Sequence, residues 1–189
     1  MASDLAEKLL KQPPTTAVDL VMVREGLKIG AEIIRGERNE DLEELMGDMD
    51  LRYQWVEDRY QVAQKEEDLK DIGTDSASRG LWFGIPECCI QNYQDYSKKE
   101  LQEKLRVEEA QMLSRGESVP DEFYLGSTGY VPCSIKCKAT LKRGKKARKA
   151  LEEIDPRLWR KFRNLHIRRG LVEYGGEIEW WRKKEEKKG

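Results

Sequence analysis

The sequence predicts a mostly α-helical protein: a helical hairpin arm, then a small helical core stapled by four cysteines, with a short β-hairpin near the C-terminal end. Three observations point there. Apolar residues make up 38% of the 189 residues and charged residues another 38%, which disfavours a compact α/β enzyme and favours solvated amphipathic helices. Apolar side chains recur at spacings of three and four over long stretches, the period of one helix face. All four cysteines fall in two compact motifs, each with a proline just ahead and a helical pattern just behind.

Taken in order, a first helix spans 3–11, capped by Ser3 and stopped by Pro13-Pro14. Thr16 caps a second helix, with Asp19 near its positive end and Leu20, Val23, Leu27, Ala31 and Ile34 along one face. A third helix starts near Asn39. Its stripe of Leu42, Leu45 or Met46, Met49, Tyr53, Val56, Tyr60 and Ala63 has the heptad spacing of two helices packed along their length. Residues 17–71 thus read as a helical hairpin turning near Gly36–Asn39, or as a dimerisation arm, since the stripe is longer than an isolated helix needs. Residues 73–80 read as a loop and a boundary.

A further helix opens at Pro86 and continues, with a break near Ser97, to about Ser114; residues 115–131 form another loop. A basic helix runs from Pro132 to about Ile154, and Gly144 and Ala147 on it are small enough to admit a second helix at close range. Asp155 caps one more helix, with Pro156 at its first position and Leu158, Trp159, Phe162 and Leu165 as its apolar residues. Residues 171–181 alternate partly around Gly175-Gly176, as a small hairpin does. These elements group into an acidic N-terminal helical region (1–72), a cysteine-containing helical core with a basic surface (73–169) and a C-terminal tail (170–189).

The formal net charge of −1 hides an asymmetry. Residues 1–135 carry 16 Lys/Arg against 28 Asp/Glu, whereas 136–169 carry 14 Lys/Arg against Glu152, Glu153 and Asp155 alone. Either the basic segment packs beside the acidic helices and is neutralised within the fold, or it faces a phosphate backbone. Lys138, Lys142, Arg143, Lys145, Lys146 and Lys149 fall off the apolar stripe and form the candidate nucleic-acid face. Long apolar runs are absent, and Met1-Ala2-Ser3-Asp4 does not open a secretory signal, so a cytoplasmic protein without a membrane partner is expected. His166 is the one histidine, which rules out His-rich zinc hydrolase sites and reads as a packing residue.

The first cysteine motif is Gly84-Ile85-Pro86-Glu87-Cys88-Cys89-Ile90, the second Val131-Pro132-Cys133-Ser134-Ile135-Lys136-Cys137. Proline favours the first helical position, so each motif is expected to place thiols in the first turn of a helix, where the macrodipole and free N–H groups stabilise thiolate. Cys133 and Cys137, four apart, would share one helix face. Brought together, the motifs make a four-sulfur cluster, and three chemistries fit it. A tetrathiolate site would take zinc or a [4Fe–4S] cluster. Disulfides, with no cofactor, would have to join the two motifs, since a Cys88–Cys89 bond closes a strained ring and a Cys133–Cys137 bond distorts a helix. A catalytic thiol pair has less support, because neither C-x-x-C nor a βαβ pattern is present. The bland alternative is four buried small hydrophobes. The adjacent pair is unusual for zinc: neighbouring side chains on a helix diverge by ~100°, so both reach one metal only if the helix begins at or after them.

The pairing of G-x-P-x-C-C-I with a following P-C-x₃-C, then a basic helix and an Asp-Pro helix start, resembles an uncharacterised archaeal protein family over roughly residues 80–165. The resemblance implies an archaeal, thermophilic source and marks Cys88, Cys89, Cys133 and Cys137 as the defining site. It implies no reaction or substrate. The function expected is a non-catalytic cytosolic protein with a structural cysteine site and a basic helical surface for nucleic acid or nucleoprotein. The alternatives are a protein–protein adapter or homodimer built through the N-terminal helices, and an Fe–S or thiol redox enzyme.

Overall fold

Residues 2–70 and 72–173 are described by the computed structural model, with side chains for 4–70 and 72–165. Helix α1 (Ala2–Lys11) leads through the proline pair into α2 (Pro14–Arg24), which starts with proline at its first position rather than at a Thr16 cap. Thr16 is instead buried inside the helix. From here the chain departs from the expected helical hairpin. The second helix ends at Arg24, Gly26 takes a φ of +64°, and β1 (Gly30–Ile34) follows. Helix α3 (Glu40–Asp48) is capped by Asn39, whose side chain accepts the Leu42 N–H at 2.8 Å. It stops about two turns into the predicted stripe, and β2 (Arg52–Val56) and β3 (Arg59–Ala63) form a hairpin around Glu57-Asp58.

The three strands make an antiparallel sheet of order β1-β3-β2, with Ile33 opposite Tyr60 and Trp55 also opposite Tyr60. The physical reason lies in side-chain type: Tyr53, Trp55, Val56, Tyr60 and Val62 are aromatic or β-branched, suited to a pleated surface and restricted in a helix. The stripe residues Leu42, Leu45, Met46, Met49 and Tyr60 are buried inside the chain's own core, which removes the feature that suggested a dimerisation arm. Val56, which the heptad reading placed inward, is exposed. Gly30 is required by a close approach: a Cβ there would lie 2.1 Å from the Trp82 ring.

Beyond α4 (Glu66–Lys70), the expected loop at 73–80 contains α5 (Ser76–Trp82), capped by Asp75. The next helix breaks where expected, into α6 (Glu87–Asp95) and α7 (Lys98–Ser114), because Ser97 and Glu100 close a capping box. The segment 115–131 holds a short α8 (Asp121–Gly126). Two long helices end the described chain, α9 (Lys138–Ile154) and α10 (Pro156–Glu173), the turn between them closed by Asp155, which accepts the Arg157 N–H at 2.7 Å. Helix α8 lies against α9 at backbone distance, through Gly126 and Gly144, as the small residues on the basic helix suggested.

One main core joins α1, α2, α3 and the sheet to Leu125, Ala147, Leu151, Leu158, Trp159 and Phe162, so the regions on either side of residue 72 share it. A smaller cluster of Met112, Val119, Phe123 and Ile135 lies under α7. The expected C-terminal hairpin lies outside the described residues, as does the His166 side chain. Among the described residues no helix is long and apolar enough to cross a membrane.

Candidate metal centre

Gly84 opens the first motif because nothing larger fits. Its φ is +66°, and a Cβ would sit 2.6 Å from the Leu27 carbonyl oxygen. Ile85 and Pro86 then turn the chain into α6, whose first turn contains Cys88 and Cys89, as expected. The second motif differs from its expected form. Helix α9 begins at Lys138, so Cys133 lies in a loop and Cys137 is the residue at the N-cap position. The two sulfurs share a tight loop rather than a helix face. Cys137 N–H donates to the Ser134 carbonyl at 3.1 Å and Lys136 N–H to the Ser134 hydroxyl at 3.0 Å. This C-x₃-C loop has the spacing of a zinc knuckle.

Four side chains outside the cysteine motifs' own thiols hold the site in place. Glu108 on α7 accepts the Ser134 hydroxyl at 2.9 Å and the Ile135 N–H at 3.1 Å. Tyr93 on α6 accepts the Val131 N–H at 2.7 Å through its hydroxyl oxygen. Tyr130 and the fully buried Thr140 share a hydroxyl–hydroxyl hydrogen bond of 2.9 Å beside the sulfurs. Thr140 was legible only as the residue one turn beyond the last cysteine. Of the aromatics that flank the two motifs, Tyr130 is at the cluster, Trp82 packs with Ala63 and Leu69, and Tyr124 hydrogen bonds to Glu109.

The four sulfurs converge. All lie within 4.8 Å of one another, with Cys137 3.7 Å from Cys88 and 3.8 Å from Cys89. The expectation that the two motifs meet in space is met. All four are free thiols in this structure; Cys88 is exposed, Cys133 half-buried, and Cys89 and Cys137 buried. The condition set on the adjacent pair does not hold: α6 starts at Glu87, before the pair rather than at or after it, and both sulfurs still reach that of Cys137 from the first helical turn.

Cys89, Cys133 and Cys137 are each moved from the ordinary thiol range. Burial pushes Cys89 well above the ordinary thiol range. Burial and the hydrogen bond with Cys137 push Cys133 up to about 11. For Cys137 burial works upward, but the Thr140 hydroxyl and backbone N–H outweigh it, bringing the group down to about 7. Four thiolates together need a compensating positive charge. Such a set can bind one soft or borderline cation tetrahedrally.

Five of the six candidate nucleic-acid residues are exposed on α9, and the sixth, Arg143, is not. Lys138, Lys142, Lys145, Lys146 and Lys149 are exposed on α9, and Lys149 pairs with Glu153 at 3.7 Å. Arg143 is buried, its guanidinium donating to the carbonyls of Phe83 and Gly84 and lying 5.3 Å from the Tyr130 ring. It faces inward because the close contact of Gly144 with α8 turns that side of the helix to the core. Arg143 is thus a second link between the motifs: it lies on the helix that follows Cys137 and grips the glycine that opens the first motif.

Comparison with curated proteins and with solved structures finds no match. A family model does match, over residues 53–163, a span that takes in both cysteine motifs and the two residues that join them, Thr140 and Arg143; the chain belongs to the family described as "Protein of unknown function (DUF483)".

Proposed function

We propose that this chain is a non-catalytic zinc protein in which Cys88, Cys89, Cys133 and Cys137 bind one zinc ion as a structural clip. The observation that carries the reading is the sulfur spacing. A tetrahedral site with zinc–sulfur bonds of about 2.3 Å puts its sulfurs roughly 3.8 Å apart. The separations of 3.7 and 3.8 Å from Cys137 match that edge. A four-iron cube holds its thiolates roughly 6 Å apart, wider than the 4.8 Å within which all four lie. The donor set is closed, with no position left for a substrate, which favours a structural role over a catalytic one. The Glu- and Lys-rich composition fits the archaeal, thermophilic source that the resemblance implies.

The experiment is metal analysis with an absorption spectrum on protein purified without oxygen. A colourless protein with one zinc per chain supports the reading. A brown protein absorbing near ~400 nm assigns the site to iron, and a metal-free protein lacking free thiols assigns it to disulfides.

As partner we propose nucleic acid or nucleoprotein, held by the exposed Lys138, Lys142, Lys145, Lys146 and Lys149 in the cytoplasm. Their common helix and exposure support this. Affinity should fall by about one unit of log–log slope against salt for each phosphate neutralised, and charge reversal at Lys142, Lys145 and Lys146 should abolish it. Absence of binding at low salt would reject the partner while leaving the zinc reading intact.

A further inference from the structure

Beside the cysteine cluster lies a cavity of about 630 Å³, bounded by α5, α6, the start of α7 and residues 129–131. That volume is in the range of small-molecule sites. Phe83, Ile85, Ile90 and Val131 supply apolar lining, and Tyr93 and Tyr130 form the wall towards the sulfurs. Both tyrosines are fixed by hydrogen bonds to the loop and to Thr140, so this wall is preorganised.

The charge in the lining is one-sided. Arg79 and Lys98 are its two charged residues, and no carboxylate is among the lining groups. This stands against the composition of residues 1–135, where 28 Asp/Glu outnumber 16 Lys/Arg. Glu32 takes up one Arg79 nitrogen at 3.1 Å. Lys98 is exposed at the first position of α7, where the helix's positive end adds to its field. The amides of Gln94 and Gln102 complete the polar side. An apolar space walled by three aromatic rings and edged by two cations is complementary to one ligand class.

We propose that this cavity binds a small aromatic anion, its rings against Phe83, Ile90 and Tyr130 and its carboxylate, phosphate or sulfonate towards Lys98 and Arg79. The site stands on the cavity and its charges and needs no metal in contact with the ligand.

The probe is 8-anilinonaphthalene-1-sulfonate, titrated by fluorescence into the folded full-length chain beside its uncharged relative N-phenyl-1-naphthylamine. Saturable binding of one sulfonate per chain is expected, with the neutral probe about tenfold weaker. Lys98→Glu, on an exposed residue, should lower sulfonate affinity about tenfold or more, leaving the neutral probe and the melting temperature unchanged. Ala77→Trp, which fills the cavity, should remove both. Unsaturable fluorescence, equal affinity for the two probes, or sulfonate binding insensitive to Lys98→Glu would overturn the proposal.

Discussion

Replacing Gly144 by alanine should destabilise the protein although alanine is the better helix former. A Cβ at this position would lie 1.8 Å from the Glu122 carbonyl oxygen and 2.6 Å from its carbon. Both are backbone atoms, so no rotamer change relieves the clash; α8 must move away from α9 by roughly 1.5 Å to regain ordinary contact. Gly126 meets the Thr140 carbonyl oxygen in the same way, at 2.0 Å from its notional Cβ, so the two helices cannot slide past the problem. Helix propensity returns about 1 kcal/mol. Overpacking against backbone costs about 3 kcal/mol. The net loss of about 2 kcal/mol corresponds to a fall in Tm of roughly 4–8 °C for a chain of this size. Calorimetry and urea unfolding of Gly144→Ala would measure it, with Gly47→Ala as the internal control. Nothing lies within 4 Å of a Cβ at 47, so that variant should gain up to about 1 kcal/mol. A Gly144→Ala variant as stable as the parent would refute the backbone-contact reasoning.

Three further outcomes follow from the same structure. Chelation, or Cys137→Ser, should raise hydrogen exchange in residues 87–137 first and leave the strands protected; uniform loss of protection would place the cysteines in the global core instead. Arg38 and then Tyr60 hydrogen bond to Glu43 and hold its carboxyl down at about 2 against an ordinary 4.5, so its stabilising effect is complete above 4.5 and lost as pH falls towards 2. Across that window Tm should fall less steeply in Glu43→Gln than in the parent. Arg143→Met should cost about 2 kcal/mol by stripping the Phe83 and Gly84 carbonyls of a charged donor, whereas Lys142→Met should change stability by less than about 0.5 kcal/mol; equal effects in urea unfolding would contradict the inward placement of Arg143.

Local chemistry made parts of this fold readable. The Asp155-Pro156 start, the break at Ser97 and the proline-led Cys88-Cys89 helix each depend on a few adjacent residues, and each appears where it was expected. The β-hairpin was hidden for two reasons. Its two-residue loop is Glu57-Asp58, without the glycine or asparagine that normally marks such turns, although Glu57 takes a φ of +55°. Its apolar residues also fall at spacings that a heptad shares, so period alone favoured the helix. The cysteine cluster was legible as composition and spacing. The loop form of its second half was not, because what forms it is distant: Glu108, which takes up the N–H and hydroxyl that a helix start at Pro132 would have used differently. Arg143 was misread for a related reason. Sequence periodicity places it off the apolar stripe, but the carbonyls it serves are about sixty positions earlier.

The placement of the cysteines has an energetic logic. The main core draws its large side chains from α1–α3, the sheet, α9 and α10, whereas α6 and α7 contribute few buried apolar residues: Cys89, Leu101, Ala110 and Met112. Seventeen residues of α7 with so narrow a buried face cannot hold themselves on the molecule by apolar area alone. A four-sulfur cluster at the junction of α6, the 131–137 loop and α9 ties this weakly anchored segment to a helix that contributes Ala147, Ala150 and Leu151 to the main core. Small units that cannot build enough core use cross-links in this way. Arg143 reinforces the same junction from the α9 side, and Glu108 from α7, so the segment is held at one point by the sulfur cluster, a buried cation and hydrogen bonds together. The aromatic-anion cavity opens beside that point, where a ligand would press on Tyr93 and Tyr130, the two side chains that connect its wall to the sulfurs.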